Sequence, residues 1–153
     1  MEMMLAQMVS LAATMHEGQV DKGGMPYIFH VVEVARRVME KYGDAELACI
    51  AAGHDLIEDT GMTAEQLLRE GFTPRIVEGI SILSKNGKTY EQYKADVLSS
   101  IDAIKVKYED IGHNTDTSRL KHAMTEKDVK RLQKYYAFSG ELIKAAIEYG
   151  VSL

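Results

Sequence analysis

Apolar residues recur along this chain at the helical period, and strand-like alternation is nearly absent. The clearest stripe runs from Ile28 to Tyr42. Ile28, Val31, Val32, Ala35, Val38, Met39 and Tyr42 follow the i, i+3, i+4, i+7 pattern of a core-facing helix. Pro26 stands near its start, where a missing N–H costs little, and Gly43 is placed to end it. Met3 to Met15 reads as an earlier helix, closed by a loop holding Gly18, Gly23 and Gly24. Ala45 to Ile57 reads as a third helix with Asp44 as N-cap. Thr63 with Gln66 and Thr89 with Gln92 form capping-box patterns that open helices towards Glu70 and Ser99. Between them Thr73-Pro74 opens another, towards Leu83, and Asn86-Gly87 tips a turn. Ile101 to Gly112 carries Ile101, Ile104, Tyr108 and Ile111 on one stripe, and Asp102, Lys105, Glu109 and Gly112 on a solvated face. Thr125 to Tyr149 is the last stretch, with a candidate break at Ser139-Gly140. The pattern predicts a compact all-α domain of about eight helices over residues 1–153.

Composition narrows the class. A length of 153 residues fits one domain with a real core. With 46% hydrophobic and 27% charged residues, disordered, collagen-like and disulfide-rich classes are excluded. A net charge of −5 makes a poor non-specific nucleic-acid binder, because the chain repels phosphate, so no nucleic-acid partner is expected. No apolar run approaches the roughly 18 residues of a membrane span. Met1 to Ser10 contains Glu2 and no basic stretch, so it does not read as a signal peptide. The lone Cys49 cannot form an internal disulfide, which fits a cytoplasmic location. The nine methionines read mainly as core fillers.

Candidate chemistry lies in His30, His54-Asp55, Glu58-Asp59 and Asp110, the last just ahead of His113-Asn114. On a continuous helix His54, Asp55 and Glu58 share one face, and His54 is in register with the apolar Leu47, Ile50 and Ala51. Acidic groups on a buried face repel one another, and a divalent cation resolves that conflict. Imidazole with carboxylate suits Mn²⁺, Fe²⁺, Co²⁺ or Zn²⁺. Taken singly, each histidine reads as a satisfied core residue and each acidic pair as a solvated turn. The set as a whole, each member on a predicted helix, favours a metal.

These residues fall in three motifs: His16-Glu17-Gly18-Gln19 with Lys22, Gly24, Pro26-Tyr27-Ile28 and His30; Gly53 to Thr60; and Val106 to Asp110 with His113-Asn114. In that order and spacing, the chain resembles the HD superfamily of metal-dependent phosphohydrolases. Within it, the chain is similar to the hydrolase domain of the RelA/SpoT alarmone proteins and their small single-domain relatives. The resemblance implies one Mn²⁺ held by His30, His54, Asp55 and Asp110. It implies that Glu58 and Asp59 position and activate the attacking water. Asn114 and Thr117 would lie near ribose and phosphates, and Lys22 and Leu120 near the base. His16 would brace the glycine-rich loop, and Lys22, Lys85, Lys88 and Arg119 are candidate phosphate contacts.

Two positions depart from the family pattern. Asp21 stands where the family usually has an arginine that stacks on guanine, and Asp116 where it often has another. Both place negative charge where a polyphosphate favours positive. The implied activity is removal of the 3′-pyrophosphate from guanosine 3′,5′-bis(diphosphate). A phosphohydrolase of another nucleotide and a non-catalytic nucleotide-binding module are the alternatives. The family's synthetase activity needs a further domain for which 153 residues leave no room, so hydrolysis alone is expected.

Overall fold

The computed structural model describes residues 2–153. Met1, which opens the stretch read above for a signal peptide, lies outside the described residues. Among the described residues nine α-helices follow one another: α1 Glu2–Met15, α2 Ile28–Tyr42, α3 Ala45–Gly53, α4 Leu56–Thr60, α5 Ala64–Arg69, α6 Pro74–Ile82, α7 Tyr90–Leu98, α8 Ile101–Asn114 and α9 Glu126–Tyr149. A short 3₁₀ turn, Thr117–Arg119, links α8 to α9. No helix is long and apolar enough to cross a membrane.

Local sequence explains most of the ends. The Asp44 carboxylate accepts from the Leu47 N–H, and both Thr63/Gln66 and Thr89/Gln92 form complete capping boxes. A third box, Thr125 with Asp128, opens α9. Gly43 ends α2 with φ at 62°, a left-handed conformation that glycine adopts without a Cβ penalty.

The core is built round α3, buried at every position from Leu47 to Gly53. Helices α1, α2, α6 and α8 pack around it, and α9 lies across α7 and α8. The approach of α6 is set by Gly79: a Cβ there would stand 2.6 Å from the Ile50 side chain. Ile50 is fully buried, and Ile50→Ala is expected to lower unfolding free energy by about 2–5 kcal/mol, measured by denaturant titration with an unchanged m-value.

Five sequence expectations change. The third helix does not run on to Ile57. It stops at Gly53, and the chain restarts as α4 after His54 and Asp55. The side chains at this break are committed elsewhere: His54 Nδ1 donates to the Ala51 carbonyl oxygen at 2.6 Å, and Asp55 accepts the Tyr27 hydroxyl. The last helix is unbroken through Ser139-Gly140, because Phe138 and Leu142 on either side anchor it to the core. The buried face of α2 is rotated to carry His30 and Val34 inward, leaving Val32 and Met39 over a third exposed. In α8, Ile101 is exposed, while the supposed solvated face is partly engaged: Asp102 pairs with Arg75 and Glu109 with Lys41. Of the methionines, Met8 and Met62 are core residues, whereas Met3, Met25, Met39 and Met124 sit at helix ends, loops or outer faces and are exposed.

Candidate metal centre

The break between α3 and α4 turns His54 and Asp55 towards α2 and α8. His30 reaches the same point from α2 and Asp110 from α8. His30 Nε2 stands 3.0 Å from Asp110 Oδ1 and 4.0 Å from Asp55 Oδ2. His54 Nε2 stands 3.0 Å from Asp55 Oδ2 and 3.3 Å from Asp110 Oδ1. His30, His54 and Asp110 are all buried. Despite these distances neither Nε2 atom makes an aligned hydrogen bond, and both are shielded from solvent. Two orphaned imidazole nitrogens facing the buried Asp110 and the partly buried Asp55 carboxylates form a donor set that fits a divalent transition metal.

Neighbouring groups fix each donor. The His54 Nδ1–H bond to Ala51 selects the tautomer whose Nε2 lone pair faces the carboxylates. His30 Nδ1 lies 2.8 Å from His113 Nδ1, with the two rings stacked. Burial, then the nearby Arg119 and His30, push His113 down to about 4, so its neutral ring can accept from His30 and leave His30 Nε2 free. Lys107 is buried and donates to Asp110 Oδ2 at 2.8 Å, and Asn114 donates to Oδ1 at 2.9 Å. Burial alone would raise the Asp110 carboxyl, but Lys107 and then His54 hold it well below the usual range. Burial would likewise lower His54, yet Asp55 and Asp110 hold it well above the usual imidazole value. The carboxylates thus stay ionised, and the proton they draw onto His54 Nε2 is a positive charge that a bound cation would replace, freeing that lone pair.

Glu58 and Asp59, on α4, form a second acidic group with Asp55. Glu58 accepts the Lys85 backbone N–H at 2.8 Å. Burial near Asp55, then repulsion from Asp55 and Glu58, pushes the Asp59 carboxyl up to about 6, although the residue as a whole is exposed.

Beside the centre opens a pocket of about 220 Å³, whose lining includes Lys22, Asn114, Thr117 and Leu120. Tyr27 and Asn114 form part of its wall while bonding Asp55 and Asp110, so they join pocket to centre. Glu58 and Asp59 are not in that wall. The two departing aspartates have structural work. Asp21 accepts from the backbone of Gly23 and Met25 and from the Arg119 guanidinium at 2.6 Å. Asp116 caps the 3₁₀ turn through Ser118. Of the proposed phosphate contacts, Arg119 is thus paired with Asp21 and Lys88 with Asp96, while the Lys85 ammonium lies over the Tyr93 ring. His16 Nδ1 meets Gln19 Oε1 at 2.8 Å, bracing the glycine-rich loop.

Sequence reasoning gave no role to Tyr27, Lys107 or His113, which hold the donors from behind. The i, i+3 spacing of Lys107 and Asp110 was a readable signal for one of them. The other two contacts cross 28 and 83 residues and leave no local trace.

An all-α bundle whose helices converge two histidines and two aspartates on one buried point has the build of an HD-type domain. Residues 9–108 match the model of the HD domain family, and the chain belongs to that family. It is 35% identical over 118 residues to the guanosine-3′,5′-bis(diphosphate) 3′-pyrophosphohydrolase of Haemophilus influenzae, an overlap of 70% of this chain and 17% of that one. The protein of the same name from Vibrio cholerae is 30% identical over 138 residues, covering 85% of this chain and 20% of that one. The bifunctional (p)ppGpp synthase/hydrolase SpoT of Escherichia coli is 34% identical over 125 residues, covering 74% and 18%. The chain thus spans about a fifth of the length of these curated relatives. A solved structure of a metazoan ortholog of SpoT, described as hydrolysing ppGpp, superposes with a TM-score of 0.74 over 93% of this chain and 84% of that one. At 19% identity this likeness is one of fold.

Proposed function

We propose that the chain is a metal-dependent phosphohydrolase of a phosphorylated nucleotide, with the 3′-pyrophosphate of guanosine 3′,5′-bis(diphosphate) as its leading substrate. The observation that carries the reading is the pair of buried, orphaned Nε2 atoms of His30 and His54 facing Asp55 and Asp110 beside a pocket of mixed polar and apolar lining. The names of the relatives support the substrate. His30, His54, Asp55 and Asp110 would hold the ion, and Mn²⁺ is the ion we assign. When bound, such an ion polarises a phosphoryl group and lowers the pKa of water.

The chain's own residues supply the rest. Glu58 and Asp59 orient the attacking water and take its proton, a role suited to carboxylates beside a cation. Lys107 and Asn114 keep Asp110 ionised and fixed, and Tyr27 does the same for Asp55. Lys22, Asn114, Thr117 and Leu120 line the nucleotide's place in the pocket. The enzyme would work in the cytoplasm, where Cys49 stays reduced.

A second substrate reading rests on two ion pairs. The Asp21 carboxylate neutralises Arg119, and Asp128 pairs with Arg131, so two of the pocket's cations are already matched. That favours a nucleotide carrying fewer phosphates than the bis(diphosphate). The test is metal analysis of the purified protein, followed by a panel of phosphorylated nucleotides assayed with Mn²⁺. One bound transition metal and cleavage of the bis(diphosphate) are expected. Cleavage of a less charged nucleotide alone would move the assignment to the second reading, and absence of metal and of all turnover would leave a binding module.

A further inference from the structure

Two segments meet in the wall of the nucleotide pocket. The loop 19–26 contributes Asp21, Lys22 and Gly23, and the turn 115–120 contributes Asp116, Thr117, Arg119 and Leu120. They touch at Gly23, where a Cβ would stand 2.2 Å from the Arg119 carbonyl oxygen, so only glycine permits the approach. The Arg119 side chain is held between two acceptors. Its Nη1 donates to the His113 carbonyl oxygen at 2.8 Å, and its Nη2 to Asp21 Oδ2 at 2.6 Å. Asp21 is itself fixed, because its Oδ1 accepts from the Gly23 and Met25 N–H groups. Guanidinium N–H bonds lie in the plane of the group, so both anchors grip its edge and leave its flat faces clear of them. The pocket's other charged groups are not held in this way. Arg131 donates to Asp128 through Nη1 alone, Asp116 is engaged by Ser118, and Lys22 is exposed.

We infer that Arg119, held in plane by Asp21, is the residue on which the nucleotide's base stacks, and that it selects purine over pyrimidine through the larger ring surface. The inference rests on the nucleotide reading above. It moves Arg119 from the phosphate contacts to the base. A cation whose charge Asp21 already matches has little left to offer a phosphate, whereas a guanidinium held flat keeps its stacking surface. Val20, Leu120 and Leu132 add apolar surface to the same wall, which suits a base and not a phosphate. The phosphates then point to the metal centre, which Tyr27 and Asn114 join to the pocket through Asp55 and Asp110.

Calorimetric titration of the whole chain, supplied with Mn²⁺, against GDP, UDP and inorganic pyrophosphate tests this. GDP has no 3′-pyrophosphate to lose, so binding is read apart from the proposed reaction. Wild type is expected to bind GDP more tightly than UDP. Arg119→Met is expected to weaken GDP by about 5- to 30-fold, the size of a cation–π contact out of water, and to close the gap to UDP. Pyrophosphate, which has no base, should bind each variant within about twofold of wild type, and so reports an intact fold and centre. Arg119→Lys keeps the charge but has no flat face, and is expected to bind GDP as weakly as Arg119→Met. Asp21→Asn keeps an acceptor for Gly23 and Met25 but offers Arg119 no carboxylate. It is expected to weaken GDP by about 2- to 10-fold, the cost of ordering a freed side chain. Four results would overturn the proposal: equal affinity of wild type for GDP and UDP, wild-type GDP binding in Arg119→Met or in Arg119→Lys, pyrophosphate falling as far as GDP, or tighter GDP binding in Asp21→Asn. All of these leave the nucleotide reading standing. A wild type that binds pyrophosphate but neither nucleotide would remove that reading and the proposal together.

Discussion

Asp55→Ala is expected to abolish both metal retention and phosphohydrolase activity while the far-ultraviolet helical signal survives. Asp55 Oδ2 is 3.0 Å from His54 Nε2 and 4.0 Å from His30 Nε2, so its removal takes away the anion that both imidazoles face. Two further consequences come from the contacts around it. The Tyr27 hydroxyl, partly buried in the pocket wall, loses its acceptor, at a cost of about 1 kcal/mol, the lower end of the range for an unsatisfied donor. His54, held high by Asp55 and Asp110, loses the first of these and its affinity for a proton falls. The fold itself rests on the apolar residues of α3, none of which changes. Metal content by elemental analysis, turnover and circular dichroism together check the prediction. Full activity in this variant would refute the ligand assignment, and a lost helical signal would make Asp55 a folding residue instead.

Glu58→Ala is expected to separate chemistry from metal binding. Glu58 belongs to the acidic group with Asp55 and Asp59 but, unlike Asp55, its carboxylate pairs with neither His30 nor His54. Its loss removes a carboxylate that positions water, an effect of about 10²–10⁴ in turnover for general acid–base groups. Metal content should match wild type. The Lys85 N–H bond to Glu58 lies at an exposed position, so thermal stability should change little. Metal loss on this substitution would show that Glu58 is a ligand, and unchanged turnover would pass the water-activating role to Asp59.

Much of this was legible before any coordinates. Capping residues are local: a threonine oxygen reaches only the next turn, so Thr63, Thr73 and Thr89 announce their helices in sequence. The motifs were legible for a related reason, since His54-Asp55 and Glu58-Asp59 are near neighbours in the chain. The rotation of α2 was not, because periodicity gives a stripe its width but tertiary contact decides which edge of it is covered. His30 is polar, and no hydrophobic pattern places it inward. The break after Gly53 leaves no sequence signal for a similar reason: Ala45 to Ile57 is continuous by propensity, and the side-chain contacts of His54 and Asp55 override it. Gly140 read as a break point because glycine weakens an isolated helix by about 1 kcal/mol, less than the burial of Phe138 and Leu142 returns.

By itself the sequence determined the helical class, most helix ends and the identity of the acidic and imidazole groups, because these follow from interactions within one or two turns. Only the tertiary structure decided that groups from α2, the α3–α4 break and α8 meet at one buried point, that Tyr27, Lys107 and His113 hold them there, and that Asp21 is tied to Arg119. Those contacts join residues up to 98 positions apart, and their geometry is set by how helices pack round α3.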